Sequence, residues 1–189
     1  RLEKDAKKYR GSKIPIFLCF TCDPYQPGDV FHTTTRKALE ILTENECAIN
    51  ILTKGGPRAT YDFDMLRSNS LNWFGTTLTY ADRYSSNKYE PKAAYPLARI
   101  QAMERAKSEG INTWISFEPV LDPHAILGMI RRTLDFCDIY KIGKLNHHKS
   151  FCPSGEELKA FLLEAISLLE RHGKRYYVKE DTRPFLEGY

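Results

Sequence analysis

Residues 111–123 read INTWISFEPVLDP. Successive side chains of a strand point to opposite faces, so Ile115 and Phe117 lie on one side and Ser116 and Glu118 on the other. One face is apolar; the other grows polar toward the C-terminal end. A strand covered by helices on both sides, as in a doubly wound sheet, reads instead as a near-continuous apolar run. Gly110 after RAKSE marks a helix C-terminus before this strand, and a helical pattern resumes at Pro123.

The same division recurs along the chain. Strands are expected over 15–22, 47–53, 72–79, 111–118, 137–143 and 174–180, and helices over 33–45, 59–69, 94–109, 123–135 and 154–172. Ser154 with Glu157 forms a capping box for the last helix, and Gly173 follows its end. The opening RLEKDAKKYR is a charged, helix-like stretch. Strict alternation implies right-handed βαβ units and a parallel sheet. In the first strand Ile16, Leu18 and Phe20 oppose Cys19, Thr21 and Asp23; in the second Ile49 and Ile51 oppose Asn50, Leu52 and Lys54. Phe74 and Leu78 oppose Thr77 and Thr79, and Tyr140 and Ile142 oppose Lys141 and Gly143. The pattern predicts an α/β fold with helices on the outside, a partial barrel whose polar lumen carries Thr21, Asp23, Asn50, Lys54, Thr77, Thr79, Ser116, Glu118 and Lys141. No repeat or linker divides it, so residues 1–189 read as a single domain. The longest irregular stretch, 80–93, reads as a functional loop.

Composition narrows the class less than patterning does. The 189 residues are 42% hydrophobic and 28% charged, as in a globular protein. No run of about 18 apolar residues is present to span a membrane. A net charge of +4 is compatible with a phosphate-bearing partner without selecting one. Five cysteines at irregular spacing suit a reducing, cytoplasmic setting rather than a disulfide framework.

Candidate chemistry gathers at strand ends. Cys19 and Cys22 have CxxC spacing, but positions i and i+3 of a strand face opposite ways, which disfavours a metal clip. ILTKGG places Lys54 where it can meet a carboxylate or phosphate, with glycines permitting close backbone approach. It lacks the P-loop spacing. Thr77 and Thr79 offer hydroxyls to a polyol such as ribose. Glu118 sits at a familiar catalytic position for a barrel; an ion pair with Lys141 on the neighbouring strand is the structural alternative. Glu90 and Arg99 read as partners or as surface charges. His147, His148 and Cys152 lie in a polar loop that favours no metal. Two other readings stay open: a barrel hydrolase using Glu118 with Asp23 or Asp122, and a non-catalytic nucleic-acid-binding module.

Taken in order, TCDPYQP, TRKALEIL, ILTK, FGTTLTYAD, YEPKAAYPLARIQAMERAKSEGI, WISFEPVLDP, DIYKIGKLN and YYVKED resemble the radical S-adenosylmethionine (SAM) superfamily, and within it the spore-photoproduct-lyase-like, or DNA repair photolyase-like, group. The resemblance covers nearly the whole chain. It implies a partial (β/α)6 barrel holding SAM and a [4Fe–4S] cluster, reductive cleavage of SAM, and hydrogen abstraction from a substrate of which a nucleic acid is one candidate. It also implies an electron donor such as flavodoxin or ferredoxin. By resemblance Lys54 faces the methionyl carboxylate, Thr77 the ribose, and Thr21 and Cys22 stand beside SAM. The backbone around Ile142–Leu145 borders the adenine, and Asp23 and Tyr25 lie toward the substrate. The cofactor-binding set is thus Thr21, Cys22, Lys54, Thr77, Thr79, Ser116 and Lys141, and the catalytic candidates are Asp23, Tyr25 and Glu118. One departure stands out: no CxxxCxxC is present. The first strand and cluster loop are therefore expected upstream of Arg1, and this chain alone is expected to hold no metal and to be inactive.

Overall fold

The computed structural model describes residues 1–18, 21–28, 33–146 and 152–187. Six strands, β1 (Ile16–Leu18), β2 (Ile49–Thr53), β3 (Trp73–Thr77), β4 (Asn112–Val120), β5 (Ile139–Lys144) and β6 (Arg175–Val178), form one sheet in chain order. Every adjacent pair is parallel. Right-handed crossovers advancing steadily in one direction place the connecting helices on the same face. A doubly wound sheet reverses direction midway; this one does not. The sheet is an open arc with β1 and β6 at its edges, the partial barrel that the strand faces predict.

The outer layer comprises α1 (Leu2–Lys8), α2 (Thr33–Glu44), α3 (Phe63–Leu66), α4 (Arg83–Tyr89), α5 (Pro96–Ser108), α6 (Pro123–Thr133), α7 (Gly155–Arg171) and α8 (Pro184–Glu187). The core lies between these helices and the convex sheet face. Ile51, Phe74, Ile115 and Ile142 meet Leu42, Met103, Ile130 and Leu162 there. Polar ties lock the layer. Asn72, only 2% exposed, accepts from Ile49 N at 2.8 Å and donates to Leu66 O at 3.0 Å, bridging β2, β3 and α3. The Ser154–Glu157 capping box forms as its spacing predicts. Among the described residues no helix is long and apolar enough to cross a membrane.

Three local expectations change. The helix expected over 59–69 begins as a 3₁₀ segment, Gly56–Asp62, before the short α3. Pro57 is compatible with such a tight first turn, and Gly56 supplies the positive φ of 54° at its entry. The stretch 80–93 is not wholly irregular: it contains α4, capped by Asp82, whose carboxylate accepts from Ser85 N at 2.8 Å. Its lack of an apolar stripe hid it, since Ser86 is its one buried residue. The first strand is shorter than 15–22; Cys19 and Phe20 fall outside the described residues.

Side chains fill the floor of the concave face. The Trp114 ring crosses Gly75 so closely that a Cβ there would stand 2.3 Å from it. Its indole N–H donates to Asn50 Oδ1 at 2.8 Å, and Phe17 packs at 5.9 Å between ring centroids. Above this floor the register aligns Thr77 with Ser116 and Ser116 with Lys141. These polar side chains form a row across β3, β4 and β5.

Candidate functional site

The C-terminal strand ends form a rim, braced first by Asp23. Its Oδ1 accepts from the Thr53 hydroxyl at 2.6 Å and from Tyr25 N at 2.8 Å; its Oδ2 accepts from Lys54 N at 2.6 Å. Asp23 therefore ties the segment after β1 to the turn after β2. Tyr25 is wholly buried and donates its hydroxyl to Asp62 at 3.0 Å. Burial, reinforced by Asp62, raises its pKa well above the ordinary phenol range. Arg58 Nε donates to Tyr25 O at 2.8 Å. Gly55 permits this junction, because a Cβ there would stand 2.7 Å from Tyr25 Cβ. Asp23 and Tyr25, two of the three catalytic candidates, thus brace the rim.

Lys54 rises from this junction. Its Nζ lies 2.5 Å from Glu90 Oε1, and Glu90 Oε2 lies 2.6 Å from Arg99 Nη2. Arg99 is 1% exposed, yet every guanidinium nitrogen has a partner: Nη1 donates to Thr77 O at 2.8 Å, Nε to Ala94 O at 2.6 Å, and Nη2 also to Ser86 Oγ at 3.2 Å. The sequence left this pair open between partner and surface charge. A signal was present: Arg99, Ala102, Met103 and Ala106 share the core face of α5 at helical spacing, and an arginine there requires a buried partner.

Cavities meet around Lys54. One of about 530 Å³ is lined by Lys54, Thr79, Tyr80, Glu90 and the apolar Pro119, Leu121 and Leu145. Tyr80 stacks on Tyr89 in its wall at 5.4 Å. A second, about 370 Å³, lies toward Gln26, Arg58 and Lys92, and a third, about 280 Å³, is lined by Thr21, Cys22, Lys54 and Thr77. Thr79 is 4% exposed, and its buried hydroxyl has no partner among the described residues. A buried polar group normally finds one; the residue itself is part of the lining of the largest of these cavities.

The far side of the rim is basic. Glu118 pairs with Lys179 of the segment after β6, where the sequence suggested Lys141. Gly143 gives Lys179 passage, since a Cβ there would stand 2.7 Å from the lysine Cδ. Lys141 instead sets its ammonium over Trp114, 4.6 Å from the ring centroid. Burial lowers its pKa; Lys179 adds to the depression and Glu118 opposes it. Asp122 caps α6, accepting from Ala125 N at 2.9 Å. Among the described residues no hydrogen bond joins Glu118 to Asp23 or Asp122, and each has its own structural partner.

The site brings Thr21, Cys22, Lys54 and Thr77 to one cavity and Lys54 with Thr79 to another, while Ser116 and Lys141 continue the concave row from Thr77. Among the described residues no group of three or more histidine, cysteine or acidic side chains is placed to hold a metal. Cys22 and Cys152 are exposed, whereas Cys47 and Cys137 are buried. Burial pushes the Cys137 thiol up to about 12, far from a ligating thiolate. His147 and His148 lie outside the described residues.

No protein-family model and no curated protein sequence matches the chain. Solved structures do. SuiB from Streptococcus suis superimposes with a TM-score of 0.69 at 11% identity, over 97% of this chain and 45% of SuiB. SuiB bound to S-adenosylmethionine gives 0.67 at 9% identity, over 87% and 38%. A domain of pyruvate-formate lyase-activating enzyme from Bacteroides vulgatus gives 0.64 at 14% identity, over 87% of this chain and 98% of that domain. The chain thus shares the partial-barrel fold of these structures, and it spans less than half the length of SuiB.

Proposed function

We propose that the rim binds S-adenosylmethionine and that the chain is the cofactor-holding part of a radical SAM enzyme of the spore-photoproduct-lyase-like group. The observation that carries this reading is that Lys54 and Thr79 line one cavity together with the apolar Pro119, Leu121 and Leu145. Lys54 suits the methionyl carboxylate. Thr79 and the Thr77–Ser116 row suit ribose hydroxyls, and Pro119, Leu121 and Leu145 form an apolar wall for adenine. Thr21 and Cys22 close the site beside Lys54, and Lys141 adds positive charge beyond Ser116. When bound and supplied with one electron, SAM would yield methionine and a 5′-deoxyadenosyl radical for hydrogen abstraction; the residues here would bind and orient it.

The iron–sulfur cluster is another matter. The sequence has no CxxxCxxC, and the buried and exposed cysteines are dispersed. These residues do not fit a cluster, so no electron-transfer step is assigned to them; its ligands and an electron donor such as flavodoxin or ferredoxin belong to the proposal for the whole protein.

Equilibrium dialysis with radiolabelled SAM tests the reading. Saturable binding is expected, with at least a tenfold loss in Lys54→Met. Equal retention by wild type and variant excludes Lys54 from the site.

A nucleic acid is the substrate class we favour. Tyr84 is 78% exposed on α4, and beside it Arg83 stacks over Tyr95 and Lys88 over Tyr89, an aromatic and basic surface suited to bases and phosphates. Binding of single-stranded DNA that weakens steeply with salt and with Tyr84→Ala is the expected result; salt-insensitive binding opposes it.

A further inference from the structure

We propose that Glu90 and Arg99 are positioning residues that aim the Lys54 ammonium, so that recognition of a ligand carboxylate depends on α4 and α5 as well as on β2. This rests on the reading of Lys54 as the carboxylate partner of SAM.

A lysine side chain has four rotatable carbons and a compact charge, and is poorly directed unless something holds it. Lys54 is 38% exposed, so burial alone does not fix it. Glu90 does: its side chain is 8% exposed and its two oxygens are divided between Lys54 and Arg99. Arg99 is itself anchored to Thr77 O of β3, Ala94 O and the Ser86 hydroxyl of α4. The path from a strand carbonyl to the Lys54 ammonium is therefore an unbroken series of charge-assisted bonds. The main chain repeats the link, since Ala94 N donates to Lys54 O at 2.8 Å.

Charge and donor count suit this role. Two cations and one anion leave the trio with net +1, favourable to an incoming carboxylate. An ammonium has three donors. Glu90 takes one, leaving donors for a ligand without displacing Glu90. Glu90 and Lys54 both line the 530 Å³ and 370 Å³ cavities, so the held ammonium stands at their boundary.

Two measurements on the chain test this. In the first, calorimetry compares SAM with decarboxylated SAM, which lacks only the carboxylate. Wild type should prefer SAM at least tenfold, Lys54→Met should show no preference, and Glu90→Gln should lose most of the preference. Equal weakening toward both ligands, or an unchanged preference, overturns the positioning role. In the second, ¹⁵N NMR of the lysine ammonium groups is recorded without ligand, with Lys54→Met assigning the signal. A restricted Lys54 ammonium in wild type that becomes mobile in Glu90→Gln supports the positioning role even where SAM does not bind, an outcome that instead removes the cofactor reading. A Lys54 ammonium equally mobile in both overturns the inference whatever binds.

Discussion

Asp23 shows how one side chain sets the geometry of the rim. Its carboxylate answers a hydroxyl and two backbone N–H groups at once. In Asp23→Asn one oxygen becomes an NH₂ group that cannot accept, leaving a donor facing a donor. A loss of about 1–3 kcal/mol is expected, read as a lower denaturation midpoint, together with weaker SAM binding because Lys54 follows the same junction. Gly75→Ala forces a methyl against the Trp114 ring and should cost about 1–3 kcal/mol by overpacking. Asp138 gives a pH signature. Burial alone would raise its carboxyl pKa, but Lys107 at 2.6 Å and the Thr113 N–H at 2.9 Å outweigh burial and lower it. A folded-state pKa below the unfolded one stabilises the fold at pH above about 3.9, the ordinary aspartate value. That contribution is lost as pH falls through the depressed folded value. Urea unfolding from pH 6 down to 2 should show this decline, and Lys107→Met should make it shallower.

At the scale of elements, sequence legibility followed periodicity. Helices with an apolar stripe and a signalled end, such as α7, were readable; Ser154→Ala should lower stability by about 1 kcal/mol by removing that cap, with Ser154→Asp retaining it. Helix α4 was not readable, because a seven-residue polar helix held through Ser86 to a buried arginine leaves no hydrophobic period. Strand phase was legible for the same reason that α4 was not: period 2 placed Ile51, Phe74, Ile115 and Ile142 in the core and Ser116 and Lys141 on the opposite face. What single-strand reading could not supply was partners across the sheet. Glu118 chose Lys179, sixty-one positions away, over the adjacent Lys141, and Glu90, at the end of α4, meets Lys54 directly after β2. Such pairings depend on three-dimensional closure, which spacing does not encode.

For the whole molecule, the decisive feature is a parallel sheet in chain order, which sends helices to one side and leaves the other for a ligand. That arrangement explains why the floor is closed by Trp114 and Phe17 while the rim carries lysines, threonines and a serine. It does not select a reaction; fold alone never does. Whether SAM occupies this rim is tested by chemical-shift mapping of the ¹⁵N-labelled chain during a SAM titration. Saturable perturbations are expected at Lys54, Thr77, Thr79, Ser116 and the backbone of 142–145, with the opposite ends of the strands unmoved. Perturbations confined to the helical layer, or none at saturating SAM, would contradict that occupancy.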